Sequence, residues 1–132
     1  MMYFSCDVGK FLDTKRGTLD IDNYIYEEMF GTEFGMDKKE RILTFDSGSS
    51  HAMTLKAVDI DKDGNTVKWQ VENSWGVGSG FQGTLIMTDE WFNEYMFRLV
   101  VNKKYATPEV LKAAKKKPIQ LPCWDPMFMG EE

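Results

Sequence analysis

Two short runs with a side-chain period of two face each other across a turn that only a few residue types can make. Ala52 to Ile60 carries Met53, Leu55, Ala57 and Val58. Val67-Lys68-Trp69-Gln70-Val71-Glu72-Asn73 alternates apolar and polar residues. Between them lies Asp61-Lys62-Asp63-Gly64-Asn65, and Asp-Gly supplies the positive φ that a tight hairpin turn requires. The pattern predicts a β-hairpin whose two outer ends return side by side. At one outer end stands His51, the only histidine in the chain. At the other is Asn73, followed by Ser74-Trp75-Gly76. The hairpin therefore predicts that His51 and Asn73 are neighbours in space although far apart in sequence.

The flanking chain reads as a mixture of short helices and strands. Met2 to Val8 is a β-prone run closed by Gly9, and Asp13 to Gly17 is a polar loop. Asp20 or Asp22 is placed to cap a helix through Tyr24, Ile25, Glu28 and Met29, ended by Gly31. Asp37 is placed to cap a second helix through Leu43, and Asp46 to Ser50 is a turn. After the hairpin, residues 76–83 form a glycine-rich loop and residues 84–88 a strand. Asp89 is expected to cap a helical turn over residues 90–95, and residues 97–101 form a last strand. Thr107-Pro108 opens a helix to about Lys116, and Pro118, Pro122 and Pro126 keep the tail extended. The expected fold class is α+β: a helical entry, a curved antiparallel sheet, and a short C-terminal helix. We expect one domain over residues 1–132, with an extended C-terminal arm over 118–132.

Composition narrows the function classes. The net charge is −5, which argues against nucleic acid as the main ligand. Lys115-Lys116-Lys117 reads as a solvated helix end. No run reaches the length of a membrane-spanning helix. Two cysteines, Cys6 and Cys123, make no disulfide framework, so a reducing compartment is expected. Nine Met, nine Phe, five Tyr and four Trp are a heavy load of large side chains. Part of that apolar surface is expected to face a partner or another part of the same protein. Two further motifs fail on context. Asp59-x-Asp61-x-Asp63-Gly64 resembles the start of a calcium loop, but its twelfth position is Gln70 and its flanks are strands. Gly78-Ser79-Gly80-Phe81-Gln82-Gly83 matches G-x-G-x-x-G, but a strand follows where a dinucleotide site needs a helix. No metal or cofactor is expected.

His51 and Asn73 have a known chemistry together. In a Cys/His site the imidazole takes the thiol proton and later protonates the leaving amine. An Asn oxygen can accept the other ring N–H and fix its tautomer without adding charge. Trp75 is placed to cover that hydrogen bond from water. A reactive thiol belongs at a helix N-terminus, where its pKa falls. Cys6 lies in Phe4-Ser5-Cys6-Asp7-Val8, a strand, and reads as a packed core residue. Cys123 lies in the proline-rich tail and reads the same way.

Five stretches extend the pattern: Cys6-Asp7-Val8-Gly9-Lys10, Ser50-His51-Ala52-Met53, Trp69 to Gly76, Met87 to Phe92, and Trp124-Asp125-Pro126-Met127. Together they resemble the C-terminal part of the bleomycin hydrolase/aminopeptidase C family, papain-like cysteine aminopeptidases. The resemblance spans essentially the whole chain. It implies the antiparallel β-barrel-like His/Asn lobe of a papain-like peptidase, with His51 as general base and acid, and Asn73 as the orienting residue. It implies a peptide substrate, and a nucleophilic Cys carried on an N-terminal lobe outside these residues, so that this chain alone is inactive. It further implies a cytoplasmic homo-hexamer. In it the arm from Pro122 to Glu132 lies along the cleft and the terminal carboxylate of Glu132 meets the substrate's α-ammonium. The alternative is a non-catalytic peptide-binding or oligomer-assembly module derived from a peptidase lobe.

Overall fold

The computed structural model describes residues 2–127. A seven-stranded sheet organises it, in the order β2-β3-β6-β5-β4-β1-β7. The strands are β1 (Met2–Cys6), β2 (Leu12–Asp13), β3 (Thr18–Leu19), β4 (His51–Ile60), β5 (Thr66–Glu72), β6 (Thr84–Thr88) and β7 (Met96–Val100). Four short helices decorate it: α1 (Tyr26–Phe30), α2 (Lys38–Leu43), α3 (Asp89–Tyr95) and α4 (Pro108–Ala113). The class is α+β, as the patterning predicts.

The hairpin forms where the alternation and the Asp-Gly turn place it. Ile60 pairs with Thr66, and the Asp61 N–H donates to the Asn65 carbonyl at 2.9 Å. Gly64 takes φ 89°, the left-handed conformation the turn needs. All pairings are antiparallel except β3 with β6, which run parallel over two residues. The sheet expectation misses this parallel pair and the two-residue strands β2 and β3. Strands that short carry no readable period, and they exist because Asp13 turns the chain. Its carboxylate accepts from the N–H groups of Lys15 and Arg16. Gly17 then donates to the Asp13 carbonyl.

One face of the sheet makes the core. Phe4 and Cys6 of β1, Met53 and Leu55 of β4, Val71 of β5, and Leu85 and Met87 of β6 are all buried there. They sit at alternate positions, so each strand contributes every second side chain. Trp91 and Tyr95 of α3 lie over that face, and Leu19 of β3 closes one side. The Trp91 indole N–H donates to the Lys10 carbonyl at 2.7 Å, so its one polar atom is satisfied.

Helix ends follow local chemistry. Asp37 caps α2 in a full capping box with Glu40, and Thr107 caps α4 with Pro108 behind it. Two expectations are corrected. Thr88 caps α3, because its hydroxyl accepts from the Trp91 N–H, and Asp89 is the first helical residue. Asp20 caps a single 3₁₀ turn over Ile21–Asn23, and the helix at 26–30 starts separately after Ile25, with no side-chain cap. Around α1 the aromatic side chains stay largely outside the core. Tyr24, Ile25, Met29, Phe30 and Phe34 are exposed. The rings of Tyr24, Tyr26 and Phe30 stack in sequence, and Phe34 meets Phe30 edge-on, with centroids 5.5–6.5 Å apart.

Candidate active site

His51 is the first residue of β4 and the last of that strand to pair with β1, opposite Cys6. It therefore shares the core face with Met53 and Leu55 but sits at its rim, half-buried. Asn73 follows the last residue of β5. Its backbone N–H donates to the Gly83 carbonyl at 3.0 Å, which extends the β5–β6 ladder by one bond. The β4–β5 ladder stops earlier, at Thr54 opposite Glu72. Continued, it would set Asn73 opposite Met53 rather than opposite His51. The two side chains thus meet on the diagonal, a separation that an imidazole and a carboxamide can span.

They meet as hydrogen-bond partners. His51 Nε2 lies 2.7 Å from Asn73 Oδ1. The same Oδ1 accepts the backbone N–H of Ser74 at 2.8 Å. A backbone amide can only donate, so the atom facing both groups must be the carboxamide oxygen. His51 Nε2 must then carry the proton, and Nδ1 is left with its lone pair free. The geometry specifies one tautomer of the neutral ring. Asn73 is 9% exposed, and its Nδ2 has no partner among the described residues.

Trp75 lies against the imidazole, with ring centroids 5.1 Å apart and planes tilted by 34°. Its outer surface remains exposed. The loop behind it, residues 76–83, is shaped by glycine. A Cβ on Gly80 would come within 2.3 Å of the Thr84 carbonyl oxygen, and Gly80 has φ 60°. The G-x-G-x-x-G run is therefore the turn that feeds β6 and places Gly83 beside Asn73.

The local thiols are unlike a nucleophile. Cys6 is fully buried in β1, and burial first, then the neighbouring Asp7 carboxylate, pushes its pKa up to about 12. It stays a neutral thiol in the core. Cys123 is exposed in the tail, which corrects the expectation that it is packed, and both cysteines are free. Among the described residues no group of three or more His, Cys, Asp or Glu could hold a metal ion. The carboxylate of Asp61, in the calcium-like run, is spent on the hairpin turn, accepting from Asp63, Asn65 and the Asn65 side chain. No helix of the described residues is long and apolar enough to cross a membrane. Pro126 and Met127 of the tail share a shallow hollow with Ser47, Gly48 and Ser49, just before His51. Glu132 and residues 128–131 of the expected arm lie outside the described residues.

The sequence reading passed over the groups behind His51. Asp7 is buried, and the Ser47 hydroxyl, also buried, donates to its Oδ2 at 2.8 Å. Ser50 donates through both its N–H and its hydroxyl to the Cys6 carbonyl, at 3.0 and 3.2 Å. The readable signal was a carboxylate placed directly after an apolar strand, where only a hydrogen-bonded partner makes it affordable.

The chain has counterparts among known proteins. The model of the Peptidase C1-like family matches residues 1–128, and the chain belongs to that family. It is 47% identical over 129 residues to the bleomycin hydrolase of Rattus norvegicus, covering 96% of this chain and 28% of that protein. It is 42% identical over 126 residues to the aminopeptidase C of Lactococcus lactis subsp. lactis, covering 96% of this chain and 29% of that one. The crystal structure of PepW from Lactobacillus rhamnosis superposes with a TM-score of 0.87 at 40% identity, over 96% of this chain and 29% of that chain. The chain thus spans less than a third of the length of the relatives it matches.

Proposed function

We propose that this chain supplies the His/Asn half of a cysteine-type aminopeptidase active site. The observation that carries the reading is the shared Asn73 Oδ1, which accepts from both Ser74 and His51 and leaves His51 Nδ1 free. In this reading Nδ1 takes the proton of a cysteine thiol supplied from outside these residues. The thiolate attacks the scissile carbonyl carbon, forming a C–S bond. The imidazolium returns the proton to the departing amine nitrogen as the C–N bond breaks. Nδ1 then takes a proton from water, whose oxygen attacks the thioester and releases the acid and the thiol. Asn73 keeps the ring oriented through both steps without adding a charge that would compete for the proton, and Trp75 shields their hydrogen bond. Cys6 takes no part.

The reading extends to the whole protein as a homo-hexamer in the cytoplasm, with the terminal carboxylate of Glu132 binding the substrate's α-ammonium. The test is a chimera in which this chain replaces the matching 129 residues of the rat relative, assayed for release of the leaving group from aminoacyl amides. The chimera is expected to be active, its His51→Ala variant inactive, and the 132-residue chain alone inactive. Activity surviving His51→Ala would remove His51 from the mechanism. Activity of the chain alone, lost in Cys6→Ser, would make Cys6 the nucleophile instead. The exposed aromatic cluster from Tyr24 to Phe34 favours a second reading, a module for peptide binding or assembly. A chimera that binds peptides or oligomerises without hydrolysis would support it.

A further inference from the structure

The His51–Asn73 hydrogen bond lies where the sheet parts. The β4–β5 ladder ends at Thr54 and Glu72. Residues 51–53 then pair only with β1, through Cys6, Ser5 and Phe4. Asn73 stays with β6 through Gly83. No backbone ladder therefore fixes the separation of the two side chains. Each must be held from its own side.

On the His51 side the holding group is a buried carboxylate. Asp7 follows the last residue of β1, and its own N–H donates to the Tyr95 carbonyl at the end of α3, at 3.0 Å. Its Oδ2 accepts from Ser47, and its Oδ1 lies 3.5 Å from the Ser50 hydroxyl. Ser50 also accepts the Val8 N–H and donates to the Cys6 carbonyl. Loop 47–50 is thus fastened at both ends to residues 6–8, and the next residue is His51. A carboxylate 8% exposed is costly unless its oxygens are satisfied. Its field is felt by its neighbours: it adds to the upward shifts of Cys6 and Tyr95, in which burial is the larger cause.

We propose that Asp7, acting through Ser47 and Ser50, is the positioning residue that holds His51 within hydrogen-bond reach of Asn73 across the open end of the β4–β5 ladder. The inference deepens the proposed function and rests on His51 being its working base. Asp7 touches neither substrate nor imidazole in this role. Its carboxylate fixes the loop, and the loop fixes the backbone from which the ring projects. The firm bond is the one from Ser47 to Oδ2, while the single Ser50 hydroxyl proton is shared between the Cys6 carbonyl at 3.2 Å and Oδ1 at 3.5 Å; hydrogen bonds to a charged acceptor are roughly twice as strong as neutral ones.

His51 is the chain's only histidine, so ring-nitrogen NMR of the full 132-residue chain reads this one residue without assignment. The parent chain is expected to show the Nε2–H tautomer with a slowly exchanging Nε2 proton. Asp7→Asn is expected to mix the tautomers and to speed Nε2–H exchange by about tenfold or more, the scale that loosening one buried hydrogen bond gives. Leu19→Ala, buried in β3 and separated from β1 by three strands of the sheet, serves as the comparison. It should destabilise the fold and leave the His51 signals as in the parent. If Asp7→Asn does not fold, Ser47→Ala keeps the charge and removes one donor, and the same changes are expected at smaller size. Parent-like His51 signals in whichever of these variants folds overturn the proposal, as would equal changes in Leu19→Ala. Asn73→Ala in the same experiment separates the two readings. If it too leaves the tautomer unchanged, the His51–Asn73 pair itself fails, whatever Asp7 does.

Discussion

The two halves of the β4–β5 hairpin both carry large aliphatic side chains, and those side chains have opposite fates. In the half near His51, Met53, Leu55 and Val71 are all 5% exposed or less. In the half near the turn, Val58, Ile60 and Val67 are between 42% and 54% exposed. Alternation sets which side chains share a face, but only a neighbouring layer buries a face. β1 and α3 cover the first half, and β1 ends its pairing at Leu55. Beyond Leu55 β4 has β5 alone beside it, and from Ala57 to Ile60 it runs outward as a ribbon exposed on both sides. The hydrogen-bonded pair of His51 and Asn73 sits at the covered end, and the position suits the role proposed for it. A histidine at the rim of a packed face can be held rigidly on one side and still present one nitrogen to a reacting group.

The strongest test of this contrast is chemical. If the covered half is closed, Cys6 should be nearly inert. Its pKa of about 12 against an ordinary 9.0 lowers its thiolate fraction near pH 8 about a thousandfold relative to an ordinary thiol, before burial adds any steric block. Alkylation of the native chain should therefore label exposed Cys123 quickly and Cys6 only on unfolding, as peptide mapping would resolve. Two equally fast thiols would show the covered end to be open. The same shift sets a pH window. The folded state prefers the neutral thiol, so this stabilising contribution is complete below pH 9. It is lost as pH rises from about 9 towards 12, where the unfolded chain releases the proton first. A Cys6→Ala chain, although less stable at neutral pH, should lose less stability than the parent over that window in denaturant titrations.

Packing gives the next largest effect. Met53→Ala removes a side chain that is 2% exposed and should cost roughly 2–5 kcal/mol in chemical denaturation. Val58→Ala, on the same strand but exposed, should cost under about 1 kcal/mol. Similar costs at both positions would mean that something covers the ribbon in solution.

Asn73→Ala probes the boundary between the halves. It leaves the Ser74 N–H without its acceptor and frees the His51 ring, while removing the unpartnered Nδ2. A net loss of about 1–2 kcal/mol is expected, because one orphaned amide is partly offset by removal of another. In the chimera with the rat relative, turnover should fall much further than stability, since the lost group orients the base. Equal, small losses in both would leave Asn73 a loop-shaping residue.

Much of this was legible in the residues, and the illegible part has a common cause. The hairpin followed from its alternation and from Asp63-Gly64, and the approach of residues 51 and 73 followed from the strand lengths. Their diagonal relation did not. It follows from the turn, which closes Ile60 opposite Thr66 and so sets position 53, not 51, opposite 73; the β-bulges at Leu55/Ala57 and Asp59/Ile60 each add one residue to a different strand and cancel. The parallel β3–β6 pair was hidden because two residues show no period. The Asp7–Ser47–Ser50 clasp was hidden because it joins positions about forty residues apart, and such contacts leave no local pattern. What the chain encodes locally is the covered end's shape; what holds it shut is encoded across the whole fold.

The smallest predicted effect concerns the ribbon's charges, and it tests whether its exposure is real. Lys68 Nζ lies 3.3 Å from Asp59 Oδ2 on adjacent strands, and both side chains are just over half exposed. Water screens such a pair, and holding two long side chains together offsets much of the attraction. Lys68→Ala should therefore change stability by under about 1 kcal/mol, and the difference should shrink further at high salt. A larger, salt-insensitive loss would mean that the pair is shielded, which requires another surface over the outer half of the hairpin. The same surface should then make Val58→Ala costly. The two exposed positions must agree with each other, and that agreement separates a free ribbon from a covered one without reference to the active site.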